Sequence, residues 1–120
     1  MSNKQDFEEA SKLATSLLER SRDGKINWNV LDDEQFIYST PLGITFVISS
    51  SEQGLGFKMH DGNGYNLISV STVPNKELWD MEDGEAPLVT ILPELYDLAR
   101  RSALKVNKKV SDVSKYLDSL

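Results

Sequence analysis

The chain contains no cysteine, and its 120 residues include a single histidine, His60. Without cysteine the protein has neither disulfides nor thiolate chemistry, and this composition is typical of a reducing compartment. A lone histidine has no second imidazole with which to hold a metal, and no serine or cysteine stands at a recognisable catalytic spacing from it. We interpret His60 as an ordinary surface or turn residue and expect no metal, no cofactor and no catalytic residue.

Long hydrophobic runs are also missing. The apolar stretches are a few residues long, whereas a helix that crosses a bilayer needs about 20 consecutive apolar residues. The stretch Met1-Ser2-Asn3-Lys4-Gln5-Asp6 has no apolar run behind a basic start, which a secretory signal requires. We therefore expect no membrane association and a cytoplasmic location.

Basic residues are outnumbered, with 13 lysines and arginines against 19 aspartates and glutamates and a net charge of −6. Because affinity for phosphate backbones depends on clustered cations, direct nucleic-acid binding is not expected. The basic residues are scattered apart from Arg100-Arg101 and 105–109. We interpret Arg100 and Arg101 as residues that suit the C-terminal end of a helix and pair with Asp97 one turn earlier.

The length of the chain predicts one domain over residues 1–120 with one core. Apolar residues recur at helical spacing from Phe7 to Leu18, and Gly24 is placed to end this first helix in the left-handed conformation. The spacing then changes to the alternation of strands, and Trp28 shares a face with Ile26 and Val30, which predicts that Trp28 lies in the core. Five strands are predicted, over 26–30, 36–40, 44–48, 55–59 and 65–73.

The turns between these strands have their own signals. The stretch 49–54 is predicted as a loop, and Pro74 is expected to end the sheet. Asp61-Gly62-Asn63-Gly64 resembles the opening of a calcium loop, but Asn66 and Thr72 stand where that loop has glycine and glutamate. We interpret it as the turn of a hairpin between the last two strands.

Two helices are predicted after the sheet. The first is expected from about Leu92, because Pro93 is tolerated only near a first turn. Asn107 is expected to cap a closing helix that runs from Val110 to Leu120. The fold class is therefore α+β: an N-terminal helix, a five-stranded antiparallel meander, and two C-terminal helices packed on one face of the sheet in two layers.

The connection 75–85 between the sheet and the C-terminal helices is the candidate binding site. It is long enough to carry function, and it combines carboxylates with aromatic and methionine side chains of the kind enriched at protein interfaces. Two other interpretations stay open: a solvated loop, and a loop whose apolar residues fold back over the sheet. The candidate partner-binding residues are Glu77, Trp79, Asp80, Met81, Glu82, Asp83 and Glu85.

Two short motifs carry a resemblance to other proteins. They are Gly24-Lys25-Ile26-Asn27-Trp28 and the ten residues from Leu95 to Leu104, Leu-Tyr-Asp-Leu-Ala-Arg-Arg-Ser-Ala-Leu. At these positions the chain resembles a group of small bacterial proteins to which no function is assigned. The resemblance implies a bacterial or phage origin and the same order of elements, and it implies no activity.

The leading functional hypothesis is a non-enzymatic, small acidic cytoplasmic module that binds another protein, of the immunity, inhibitor or defence-accessory kind. Its partner is expected to have a basic surface, and a homo-oligomer stays open. The alternative is a small-molecule-binding or enzymatic domain, with Tyr38, His60 and Arg100 converging in a cleft between sheet and helices. A further alternative is a nucleic-acid mimic, for which the carboxylates are less dense than mimicry requires.

Overall fold

A computed structural model describes residues 4–73 and 75–120. Its elements confirm the predicted fold class, with one helix, a five-stranded antiparallel sheet in the order β1-β2-β3-β4-β5, and two C-terminal helices. The expected end of the sheet at Pro74 and the first three residues of the N-terminal stretch lie outside the described residues. The elements are α1 (Lys4–Arg22), β1 (Asn29–Asp32), β2 (Gln35–Ser39), β3 (Thr45–Ser51), β4 (Gly54–His60), β5 (Asn66–Thr72), a 3-10 turn (Leu78–Asp80), α2 (Ala86–Ala103) and α3 (Val106–Asp118).

One face of the sheet forms the floor of the core. The cross-strand register places Phe36, Ile48, Phe57 and Val70 side by side on neighbouring strands, and all four are buried. Phe57 also stacks on Phe46, with ring centroids 5.9 Å apart. Period-2 alternation therefore directs most of the large apolar strand residues to this face, as the sequence pattern predicts, while Val47 is buried on the opposite face.

Helices α1 and α2 form the second layer. Leu88, Leu92, Leu95 and Ala99 of α2 are buried at spacings of three and four residues, and α2 contacts strands β1 to β4. Helix α1 packs against α2 and β5. Gly24 takes a φ of +72° behind α1, and the N–H of Lys25 donates to the carbonyl of Arg20, which confirms the predicted helix stop.

Trp28 lies at the junction of these layers and is 2% exposed, which confirms its predicted place in the core. Its indole Nε1 donates to Ser21 Oγ at 3.0 Å, and its backbone N–H donates to Ser102 Oγ at 3.0 Å. Because both N–H donors of this buried residue are satisfied, one by α1 and one by the end of α2, Trp28 joins the two helices. Val30, expected on the same face, is about half exposed on the edge strand β1, where the register shifts between Val30 and Asp32.

The start of α2 differs from the prediction, since the helix begins at Ala86 and Pro93 lies inside it. An internal proline removes one backbone hydrogen bond and costs about 3 kcal/mol. Pro93 is exposed, so the missing bond lies on the solvent side, and the burial of Leu88 and Leu92 outweighs its cost. Residues 49–51, predicted as part of a loop, instead extend β3.

Asn107 does not cap the last helix. Helix α3 begins at Val106 behind Lys105, which has a left-handed φ of 54°, and Asn107 lies in the first turn. The side-chain Oδ1 of Asn107 accepts a hydrogen bond from Arg101 Nη2 at 2.9 Å. The sequence predicts that Arg101 pairs with Asp97. Arg101 instead bonds to Asn107 in the first turn of α3.

Helix α3 differs from α1 and α2 because none of its residues is buried. The expected packing on the sheet holds for α2, whereas α3 contacts α2 near its own start. No helix in the described part of the chain has both the length and the apolar character that a membrane span needs.

Candidate functional site

Segment 75–85, which joins β5 to α2, presents two large apolar side chains to solvent. Trp79 is 80% exposed and Leu78 is 70% exposed. Both belong to the 3-10 turn, in which the N–H of Asp80 donates to the carbonyl of Glu77 at 2.9 Å. Trp79 therefore does not fold back over the sheet, and the tip of the segment is an exposed apolar patch of two adjacent residues.

The base of segment 75–85 is held by Glu85, which is 1% exposed. Lys76 Nζ donates to both carboxylate oxygens of Glu85, at 3.1 and 3.2 Å, and the N–H of Glu82 donates to Oε1 at 3.0 Å. Glu85 was predicted to contact a partner, and this prediction is wrong because its carboxylate is buried and bonded within the segment. Its role is to hold the two ends of the segment together.

Gly84 brings the same segment against α1. It has a φ of +85°, which a residue with a side chain rarely adopts, and a Cβ built there would lie 3.2 Å from the Cβ of Phe7. The chain therefore passes close to α1 immediately before α2 begins. The close contact of Gly84 with α1 and the hydrogen bonds of Glu85 together fix the C-terminal end of the segment, and so the position of its tip.

The remaining candidate residues lie around the tip. Glu77, Asp80, Glu82 and Asp83 are exposed, and Met81 is partly buried. Lys76 is the one cation of residues 75–85, and Glu85 pairs with it, so four carboxylates carry the negative charge of this surface. The structure thus brings six of the seven predicted residues to one surface and adds Leu78, which the sequence analysis did not select.

Tyr38, His60 and Arg100 do not converge. Tyr38 lies on the core face of β2, with its ring centroid 6.0 Å from that of Trp28. His60 pairs with Thr45 in the register of β3 and β4, one position beyond Met59, which places it on the opposite face of the sheet. Arg100 is exposed on α2. These three residues therefore form no common cleft.

Asp61 has a structural part in the turn between β4 and β5. Its Oδ1 accepts hydrogen bonds from the N–H groups of Asn63 and Tyr65, at 2.9 and 3.0 Å. This confirms the hairpin interpretation of 61–66. In the residues that the structure describes, no group of three His, Cys, Asp or Glu side chains is arranged to hold a metal ion.

A second polar contact joins α2 to the turn between β1 and β2. The phenol of Tyr96 donates to the carboxylate of Glu34, and its ring packs on Phe36 with centroids 5.5 Å apart. Burial and then this bond to Glu34 raise the pKa of Tyr96 from 10.0 to about 12, against an opposing effect of Arg100. The contact is structural and lies away from segment 75–85.

Helix α3 carries a second exposed apolar surface. Val106, Val110, Val113 and Leu117 follow one another along the helix at alternating spacings of four and three residues, and Leu120 continues this spacing just beyond Asp118, where the helix ends. All of them except Val106 are more than half exposed. The spacing predicts this helix, but the expectation that the helix packs on the sheet is wrong, because none of its residues is buried. The signal for exposure was present in the many lysines and serines that surround the stripe.

Comparison of the chain with protein-family models, curated proteins and solved structures finds no match.

Proposed function

We propose that this protein is a small, non-enzymatic, cytoplasmic module that binds another protein through segment 75–85. It belongs to the immunity, inhibitor or defence-accessory kind of protein, which acts by occupying a partner's surface. The observation that carries the proposal is the exposed pair Leu78 and Trp79, held on a segment whose base is fixed by buried Glu85.

The apolar pair supplies the affinity. Tryptophan is enriched among interface hot spots, and burial of an exposed indole and an adjacent leucine against a partner is favourable because it removes apolar surface from water. Because Lys76 and Glu85 fix the base of the segment, less conformational entropy is lost when the tip binds.

The carboxylates define the chemistry of the partner. Glu77, Asp80, Glu82 and Asp83 surround the tip with negative charge, which attracts a basic protein surface and repels an acidic one. Rim charges of this kind mainly raise the association rate, and their effect is screened by salt.

The proposal is tested by affinity capture from a lysate of the native host on immobilised wild-type protein, Trp79→Ala and Tyr65→Ala. Tyr65 is an exposed aromatic residue of the β4–β5 hairpin, so its replacement controls for the loss of an exposed ring elsewhere. A specific partner is retained by wild type and Tyr65→Ala and lost from Trp79→Ala. If every retained protein also binds Trp79→Ala, segment 75–85 is not the binding surface.

Once a partner has been identified, the double change Glu82→Lys and Asp83→Lys should slow its association at low salt.

A second candidate function, self-association, is favoured by the apolar stripe of α3. Its spacing of 4-3-4-3 is that of a coiled-coil seam. Consider an antiparallel pair of α3 helices in which Val110 packs against Val113 of the other helix. The residues that flank the seam on one side are then Lys109 and Tyr116, which lie near each other across it, so no like charges meet there. Two seams of about 20 Å bury a small area, so the expected complex is a weak, concentration-dependent dimer.

A further inference from the structure

A cavity of about 400 Å³ lies where the C-terminal ends of α1 and α2 meet the first turn of α3. Its lining includes four cationic side chains, Arg22, Arg101, Lys105 and Lys108, and none of its lining residues is acidic. This concentration of positive charge is unexpected in a protein with a net charge of −6. Both motifs that carry the family resemblance border the cavity, through Gly24 and Ile26 and through Arg101.

Two of the four cations are available to a ligand. Arg22 forms an ion pair with Glu94, and Lys108 pairs with Asp112 at 3.1 Å. Within the described chain neither Arg101 nor Lys105 forms an ion pair. Arg101 donates one hydrogen bond to Asn107 Oδ1, and this bond holds its guanidinium at the edge of the cavity. The other N–H groups of the guanidinium remain available to a ligand.

Helix dipoles account for only part of this charge. Arg22 and Arg101 stand in the last turns of α1 and α2, where cations are favourable. Lys105 follows Leu104, the C-cap of α2, and so also stands at a favourable end, whereas Lys108 stands in the first turn of α3, where the dipole disfavours cations and no residue is acidic. A cavity that gathers cations from both kinds of helix end favours an anion as its occupant.

Neutral groups complete the lining. Ser21 Oγ accepts the indole N–H of Trp28, and its own hydroxyl proton has no acceptor among the described residues, so it is free to donate. Ile26 and Leu98 contribute apolar surface. The lining thus offers charged donors and a hydroxyl donor beside a small apolar wall.

We propose that this cavity binds a small phosphate-bearing molecule. Its volume is that of a small-ligand pocket, and a guanidinium fork together with an ammonium group suits the several oxygens and double charge of a phosphate group. The proposal does not depend on segment 75–85. That segment precedes the first residue of α2, whereas the cavity lies at its last turn, about 27 Å away along the helix.

The test is a titration of the whole protein with inorganic diphosphate at constant ionic strength, followed by amide chemical shifts in NMR spectra. Wild-type protein should show saturable shifts at Gly24, Asn27 and Ser102. Arg101→Gln should raise the dissociation constant about tenfold. Lys105→Asn should raise it similarly, and asparagine tolerates the left-handed backbone of this position. Arg100→Gln is the matched control, because it removes the same charge from the adjacent exposed residue, which does not line the cavity. Its dissociation constant should stay within about twofold of wild type.

Two results would overturn the proposal. One is the absence of saturable shifts at up to about 10 mM diphosphate, since a site of this kind binds at least that tightly. The other is equal weakening by Arg101→Gln and Arg100→Gln, which would show that diphosphate responds to total charge. A single-stranded oligonucleotide that binds more tightly than diphosphate and shifts residues far from the cavity would also overturn it, in favour of a nucleic-acid surface.

Discussion

Lys76 and Glu85 form the most buried ion pair among the described residues, with Nζ at 3.1 and 3.2 Å from the two carboxylate oxygens. The pair spans segment 75–85 from one end to the other. It neutralises Glu85, the one buried carboxylate among the described residues, and the other four carboxylates of the segment stay at the surface. The ion pair therefore holds the two ends of the segment together, while the tip with Trp79 stays exposed.

The first prediction concerns this pair. Lys76→Met should lower the free energy of unfolding by about 2 kcal/mol, because it leaves the Glu85 carboxylate buried without its counter-charge. Lys108→Met is the matched control, since Lys108 pairs with Asp112 at the same 3.1 Å distance but at an exposed site. Its effect should be close to zero. Urea denaturation of both variants gives the comparison, and equal losses would show that burial of the pair contributes nothing.

The two tryptophans provide the second prediction. Trp28→Ala should destabilise the protein by about 3–5 kcal/mol, because it empties the junction between α1 and α2 and removes the indole hydrogen bond to Ser21. Trp79→Ala should leave the melting temperature nearly unchanged, because Trp79 lies in solvent. Calorimetry on both proteins checks this, and a large loss in Trp79→Ala would assign that side chain to the core.

The third prediction concerns alkaline pH. The pKa of Tyr96 is about 12 in the folded protein and 10.0 without the fold, so between these pH values the unfolded state binds fewer protons than the folded state. The contribution of Tyr96 to stability is complete below pH 10 and is lost as the pH rises through 12. The difference in unfolding free energy between wild type and Tyr96→Phe should therefore shrink across that interval. A difference that stays constant with pH would contradict the role of Tyr96.

The fourth prediction concerns self-association through α3. Wild-type protein should show a weak, concentration-dependent dimer in sedimentation velocity, and Val113→Glu should abolish it by placing a carboxylate in the apolar seam. Ser111→Glu adds the same charge outside the seam and should leave the dimer intact. A wild-type protein that is monomeric at all concentrations would exclude this dimer.

The sequence predicts the features that depend on local periodicity. Helix α1 and strands β2 to β5 follow from spacings of 3.6 and 2 residues, and Trp28 is placed in the core by its alternation with Ile26. The strand predicted over 26–30 overlaps β1 only at residues 29 and 30, because the backbone N–H of Trp28 bonds to Ser102 and not to a neighbouring strand. The start of α2 was missed because Pro93 is a strong local signal, whereas the burial that overrides it comes from contacts with the sheet.

The candidate site was predicted in part for a similar reason. The acidic and aromatic composition of segment 75–85 identifies a surface, but it does not distinguish a buried carboxylate from an exposed one. Glu85 is buried because the chain folds back to place Lys76, nine residues earlier, beside it. The amphipathic pattern of α3 likewise does not tell whether another element covers it.

The central claim is that Trp79 is the main contact of segment 75–85 with a partner protein. The most direct measurement is isothermal titration of the captured, purified partner with wild-type protein, Trp79→Ala and Tyr65→Ala at one salt concentration. We predict that Trp79→Ala weakens binding by at least about 2 kcal/mol, or about 30-fold in the dissociation constant, while its melting temperature is unchanged. Tyr65→Ala should bind like wild type. A dissociation constant for Trp79→Ala equal to that of wild type would contradict the account.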